Sequence, residues 1–466
     1  MRKFAVLFAA TALAGCVNLA PDHVRPPLAT DAHYPQGFEN DVTLGQRATD
    51  VAWRDFFADP QLEALIARAI ERNRDLAVAV ARIEEARGLY RIQDADRLPT
   101  VGASADAVRS RGPSPSGPGT DTSNRYSVGV GVTSFELDFW GRVKNLSEAA
   151  RSQYFATQQA ERAFRLTLVR DVASTYFASH GAEEQIELAE ATVTSRREGL
   201  RIAKLRLDAG VTSALDYRQS ETLLTQAETQ LASLKLAKAQ ADNFLAVLVG
   251  GPLPADLPAA LPLAAQSSPP TLSAGLPSDL LVARPDIVAA EGQLRAARAN
   301  VGAARAAFFP SISLTGNVGF ASGALDGLFT DNGLTWSFGP SITLPIFDFG
   351  RNRGNLTVAE ARENIAVATY EKTVQSAFRE VADALAGRRY LAEQVEAQER
   401  GTLATRRIAD LARKRYREGV STYLEVLDAE RSLFAAEQAL IELRRAQADN
   451  LVTLYVALGG GLVGPA

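Results

Sequence analysis

The sequence predicts a mainly α protein with a small β part, built as an internal tandem duplication. Three observations predict it. A short turn occurs twice, at residues 207–216 and 417–425, where a long helical pattern breaks at Gly210 and at Gly419 and then restarts. An offset of 209 carries one turn onto the other. It also carries Arg170 onto Arg379, Val172 onto Val381, Glu221 onto Glu430, and Gly250-Gly251 onto Gly459-Gly460. One offset holding over so many positions marks a repeat of whole structural units. Next to the turns, helical patterns run for many tens of residues. Four short segments alternate apolar with small polar residues, the period of a strand.

The chain starts with Arg2-Lys3, an apolar run over residues 4–13 and then Leu13-Ala14-Gly15-Cys16. A charged start and ten apolar residues describe a secretory signal and are too short for a bilayer span. Cys16 is the single cysteine, so no internal disulfide exists and no structural zinc set can be assembled. Small residues before a Cys resemble a bacterial lipobox. That implies a signal peptide over 1–15 and a covalent lipid on Cys16. Val17 stands where an Asp would favour the inner membrane, which points to the outer one. The alternative is an ordinary signal that ends near a Cys. Residues 16–60 hold Pro21, Pro26, Pro27 and Pro35 and read as an extended arm.

The first repeat covers 61–250. Its first helix starts with Asp59 as N-cap and Pro60 at the first helical position, and runs through Leu62, Leu65, Ile66, Ala69, Ile70 and Leu76 to about Arg97. Its partner runs from Ser278 to Phe309, at an offset of 211 that brings Pro99 onto Pro310. Each Pro opens a β region. Residues 126–133 and 311–318 alternate strictly, 334–338 continues through 342–344, and 101–109 is weaker, with Ala on its apolar side. Apolar side chains on one face and small polar ones on the other, over about ten residues, is the pattern of an outer-membrane barrel strand. A half-buried soluble sheet has the same period. Residues 111–125 and 321–333 read as exposed loops. Four strands cannot close a membrane barrel, whose smallest form has eight. Two chains would supply eight strands and a filled interior, three would supply twelve and a lumen.

Beyond the strands, Asp138-Phe139-Trp140-Gly141-Arg142 and Asp348-Phe349-Gly350-Arg351 each launch a very long helix, the first reaching Ala209, about 100 Å at 1.5 Å per residue. The returning helix shows a seam at Leu224, Ala227, Leu231, Leu234, Lys238, Ala241, Leu245 and Leu248, in steps of three and four. Residues 251–277 hold seven prolines and form a stiff linker that can run along the outside to the second repeat, 278–460; a tail, 461–466, follows.

Composition narrows the function. Net charge is −4, and loss of Arg2 and Lys3 leaves 48 basic against 54 acidic residues, which gives nucleic-acid binding no support. The three histidines, His23, His33 and His180, make neither a catalytic triad nor a metal set. Gly459-Gly460-Gly461 lacks the spacing of a phosphate loop. No enzyme, metal or cofactor is expected besides the lipid on Cys16.

Taken in order, Cys16 with Pro21 and Arg25-Pro26, Trp53-Arg54-Asp55-Phe56-Phe57, Asp59-Pro60, Asn73-Arg74-Asp75-Leu76, Leu98-Pro99, Trp140-Gly141-Arg142, Ala283-Arg284-Pro285-Asp286, Phe309-Pro310, Gly419-Val420 and Leu427-Asp428-Ala429 resemble the TolC-like outer-membrane factors. The likeness is to their lipidated NodT-type branch, which serves resistance–nodulation–division (RND) efflux pumps, and it covers essentially the whole chain. It implies a homotrimer with a shared twelve-stranded barrel in outer-membrane lipid and a long helical periplasmic tunnel. A periplasmic adaptor and an inner-membrane RND transporter are the implied partners. It also implies that the turns at Gly210 and Gly419 form the tunnel's closed end. There Asp216 would link to Arg415 or Tyr416, Leu424 would narrow the pore, and Glu425 and Asp428 would ring it with negative charge. Some relatives carry an Arg where this chain has Ser421, a departure from the family pattern at one gate contact. A duct for type I protein secretion and a coiled-coil lipoprotein without a pore are the alternatives. The small side chains on one strand face weigh against the second, because a solid barrel is filled by large ones.

Overall fold

The computed structural model describes residues 17–27, 30–31, 34, 45–114, 117–266, 271–273, 275 and 279–461. Cys16, the leader and residues 462–466 lie outside them. The elements are β1 (Gln46–Arg47), α1 (Trp53–Phe56), α2 (Pro60–Arg72), α3 (Arg74–Ala95), β2 (Val101–Pro113), β3 (Thr120–Leu137), α4 (Arg142–Asp208), α5 (Ala214–Leu248), β4 (Leu272–Ser273), α6 (Leu280–Ala283), α7 (Pro285–Ala306), β5 (Ser311–Ser322), β6 (Leu334–Thr343), α8 (Arg351–Arg417) and α9 (Tyr423–Ala457). The duplication is exact in the length of its longest helices: α4 and α8 are both 67 residues long, α5 and α9 both 35. Among the described residues no helix is long and apolar enough to cross a membrane. The repeats are units of sequence. The two compact units of the fold each take pieces from both.

One unit comprises Met1–Pro27, Ala81–Gln158 and Ala289–Glu371. Its centre is an antiparallel sheet in the order β2-β3-β5-β6. Val101 pairs with Val132, Val130 with Val318, and Val318 with Trp336, so these large apolar side chains of the four strands share one face. The other carries Gly129, Gly131, Gly319 and Ser337. The strands are longer than the alternation predicts. The first hairpin's loop shrinks from 111–125 to 114–119, because its polar residues pair across the ladder: Ser110 with Ser123 at 3.0 Å, and Arg111 to Thr120 at 3.0 Å. A polar stretch that reads as loop becomes strand once its side chains find cross-strand partners. A bulge between Val132 and Phe135, with Ser134 at φ 62°, bends β3. Below it Trp140 stacks on Phe309 at 4.6 Å and donates to the Pro310 carbonyl at 2.9 Å.

The chain just after Cys16 is strapped to α7. The Val17 amide donates to the Phe139 carbonyl, Arg298 donates to the Val24 carbonyl at 2.8 Å, and Arg25 donates to the buried Glu291 carboxylate at 3.1 Å. His23 lies 3.0 Å from the same carboxylate and Arg295 donates to it at 2.7 Å. Burial pushes Glu291 up, but the bonds from Arg25, His23 and Arg295 outweigh it and hold the carboxyl at about 2.

The second unit comprises Leu28–Val80, Gln159–Val288 and Lys372–Ala466. Leu62, Leu65, Ile66, Val169, Val172, Ile287, Leu385, Leu454 and Tyr455 are its fully buried centre. Asp59 caps α2 through the Gln61 and Leu62 amides, as its position before Pro60 predicts. The single helix expected over 60–97 is two helices. Asn73 ends α2, caps α3 by accepting from the Leu76 amide at 2.8 Å, and donates to the Leu248 carbonyl at 2.9 Å. The second copy breaks at the equivalent residue, Arg284, whose φ of −94° and ψ of 118° precede Pro285. The linker is also more tightly held than an outside run. Leu263 is fully buried, the Leu261 amide donates to Asp59 at 3.1 Å, and Leu272 in β4 pairs with Gln46 in β1.

Candidate functional site

Both turns sit in the second unit and share one geometry. Gly210 and Gly419 have φ of +69° and +73°, a conformation that favours glycine. The Gly210 and Val211 amides return to the Leu207 and Arg206 carbonyls, and the Gly419 and Val420 amides to Tyr416 and Arg415, all between 2.9 and 3.0 Å. This double closure satisfies the last carbonyls of α4 and α8.

The restarting helices differ. At the first turn Ser213 and Asp216 form a reciprocal capping box, and Thr212 Oγ1 donates to Asp216 at 2.6 Å. The Thr212 bond leads in holding the Asp216 carboxyl below the usual carboxylate range. At the second turn Thr422 makes no such cap.

Within the chain, then, Asp216 is bound by its own turn and pairs with neither Arg415 nor Tyr416. Arg415 lies 3.9 Å from Glu425, and Arg431 pairs with Asp428 at 2.8 Å. Leu424 is half exposed and adjoins Leu215, Arg218, Leu427, Asp428 and Arg431 along one groove. Glu425 and Asp428 each have a guanidinium beside them, so the acidic positions are carboxylate–arginine pairs rather than bare charge.

The residue not anticipated is Arg206. Its guanidinium donates to the Tyr416 hydroxyl and lies over that ring, 5.4 Å from the centroid. It therefore ties α4 of the first repeat to α8 of the second. Its charge also bears on Asp216. Tyr416 in turn packs on Tyr423 at 5.1 Å. Arg206, Thr212, Asp216, Tyr416, Ser421 and Leu424 line a cavity of about 360 Å³, and the buried Ser421 hydroxyl has no partner there among the described residues. The signal for Arg206 was present in the sequence: the 209-residue offset maps it onto Arg415. Both copies thus place an Arg four residues before the turn glycine and a carboxylate six after it. Among the described residues no group of three His, Cys, Asp or Glu side chains could hold a metal.

The family model described as outer membrane efflux protein matches residues 65–251 and 276–460, one match per repeat. The chain is 45% identical over 460 residues to the solvent efflux pump outer membrane protein SrpC of Pseudomonas putida, covering 98% of this chain and 97% of that one. It is 41% identical over 456 residues to the cation efflux system protein CusC of Escherichia coli K12, covering 97% and 98%. Among solved structures, the open state of the Neisseria gonorrhoeae MtrE outer membrane channel superposes with a TM-score of 0.86 at 42% identity, over 96% of this chain and 98% of that one.

Proposed function

The chain belongs to the outer membrane efflux protein family, and from that premise we propose a homotrimer whose three four-stranded sheets close one barrel. In this reading a periplasmic adaptor and an inner-membrane RND transporter feed it, and the paired turns form its gate. The protein is an outer-membrane efflux channel, with its helices in the periplasm. The observation that carries the trimer is the sheet β2-β3-β5-β6, whose two outer strands have no further partner among the described residues. Unpaired strand edges cannot face lipid, and four strands are too few to close. Relatives with similar identity are named for solvent and for cation efflux. A duct shared by such different cargoes supports placing cargo choice in the transporter.

The gate assignment rests on Leu424, Glu425 and Asp428 lying on one helix just past the second turn, with Arg415 and Arg431 beside the carboxylates. Glu425→Ala with Asp428→Ala removes the negative charge and leaves both arginines. Reversal potentials in a planar bilayer should move toward anion preference, and block by multivalent cations should weaken. Selectivity unchanged in that double variant would remove these residues from the pore. Lipid on Cys16 is the second attachment to the membrane in this reading, and the strap to Glu291 fixes where the chain leaves that anchor.

A further inference from the structure

We infer that the first hairpin binds the phosphates of an anionic glycolipid, the lipid A of the outer leaflet, through Arg109 and Arg111 on its outward face. The inference rests on the barrel reading, which turns the apolar face of the sheet toward lipid.

That face is banded along the strands. Alternation puts Val101, Ala103, Ala105, Ala107, Arg109 and Arg111 of β2 on it. The ladder sets Val132, Val130, Val128 and Tyr126 of β3 opposite the first four, then Asn124 opposite Arg109 and Thr122 opposite Arg111. The row of Ala105 and Val128 continues through Phe320 to Leu334. Apolar rows therefore give way to a tyrosine and then to two arginines, moving toward the hairpin end. The helices leave the strands at the opposite end and are periplasmic, so the hairpin end is the cell-surface end.

Height agrees. At about 3.4 Å per residue and a tilt of about 40°, Arg109 and Arg111 stand about 21 and 26 Å above Val101, at the upper edge of an apolar band about 25 Å tall. A lipid-facing arginine is costly at the bilayer midplane and nearly free at that edge. The phosphates of the outer leaflet lie at the same level.

Charge agrees as well. Both arginines are exposed. Arg109 makes no hydrogen bond or ion pair among the described residues, and Arg111 donates through Nε to Thr120 Oγ1 at 3.0 Å on the same face. The acids of the hairpin's upper half, Asp106 and Asp121, pair with Ser127 and Gly112 and lie on the other face, as does Arg125. A guanidinium is a planar fork that meets phosphate oxygens two at a time. Two of them stand about 7 Å apart on one strand, with Thr122 and Asn124 across the ladder as further donors. The second hairpin adds an apolar side to this surface. Phe329 in its loop packs edge-on against the outward Phe320, 5.6 Å between centroids, yet is 72% exposed, and Leu325 is 66% exposed. A loop laid on the lipid face with its apolar side chains uncovered fits acyl chains.

The test titrates the full-length channel in mild detergent with purified lipid A and counts bound lipid by native mass measurement. Lipid A stripped of its phosphates should bind at least about tenfold more weakly, the loss of one charge-assisted hydrogen bond or more. Arg109→Gln with Arg111→Gln should weaken lipid A binding by the same factor. Arg125→Gln, which removes a charge from the other face of the same hairpin, should leave it unchanged. Equal binding of the two lipids, full binding by the double Gln variant, or an equal loss in Arg125→Gln overturns the site. Phosphatidylglycerol bound as tightly as lipid A overturns the choice of a glycolipid. The comparison of lipids needs no variant and holds even if the double Gln variant fails to assemble. The same masses report chain number: a monomer overturns the barrel reading, and a trimer indifferent to the phosphates overturns the lipid site alone.

Discussion

In the proposed gate, Arg206 shows how little one side chain has to supply. It joins Tyr416 across two repeats by a hydrogen bond and by its position over the ring, at an exposed site. A surface contact of this kind contributes about 0.5–1 kcal/mol. Multiplied over three copies, its loss should raise the open fraction roughly ten- to a hundredfold. Arg206→Ala should therefore increase single-channel conductance in a planar bilayer, and Tyr416→Phe should add less in that background than alone. Equal effects in both backgrounds would show that the two residues act separately. Glu291 is the opposite case, a buried carboxylate held near 2 by three cationic or polar partners. Its folded value lies below the ordinary 4.5, so its contribution is present above about 4.5 and is lost as pH falls toward 2; at neutral pH it is on the order of 3 kcal/mol. Glu291→Gln should free the strap at neutral pH, read as faster proteolysis after Arg25, while the native strap should loosen only in strong acid.

At the scale of elements, the break at Asn73 is the informative one. Its side chain ends one helix, starts the next and donates to the Leu248 carbonyl. Asn73→Ala leaves a buried amide and carbonyl without partners, at roughly 1–3 kcal/mol each. Hydrogen exchange should quicken at the start of α3 and the end of α5, with the turns at Gly210 and Gly419 unaffected. Asp59-Pro60 announced its helix start because cap and first-turn chemistry are local. Asn73 gives no such local signal for a helix break, because the carbonyl it donates to is 175 positions away. The loop at 114–119 was overestimated for the related reason that Ser110, Arg111 and Thr120 find each other only across a ladder.

For the whole molecule, the claim to test is the number of chains that complete it. Mass measurement in mild detergent should give three. A lipid chain adds about 0.8 kcal/mol per buried CH₂, but a barrel is its own anchor, so Cys16→Ser should still reach the outer membrane in smaller amount. A Ser variant that is soluble and fully folded in the periplasm would contradict a shared barrel.

Periodicity and spacing determined, without any structure, the duplication, the four strands, the paired turns and the count that one chain is too few for a barrel. These are properties of order along the chain: an offset, an alternation, a glycine where φ must be positive. What only the tertiary structure decided are the pairings between distant residues. Asp216 turned inward to Thr212 and Ser213, Arg206 met Tyr416, the linker locked onto Asp59, and polar residues near Arg111 became strand. Side-chain partners are chosen by proximity in the fold and by the cost of leaving a polar group unpaired, and neither is written in the local pattern.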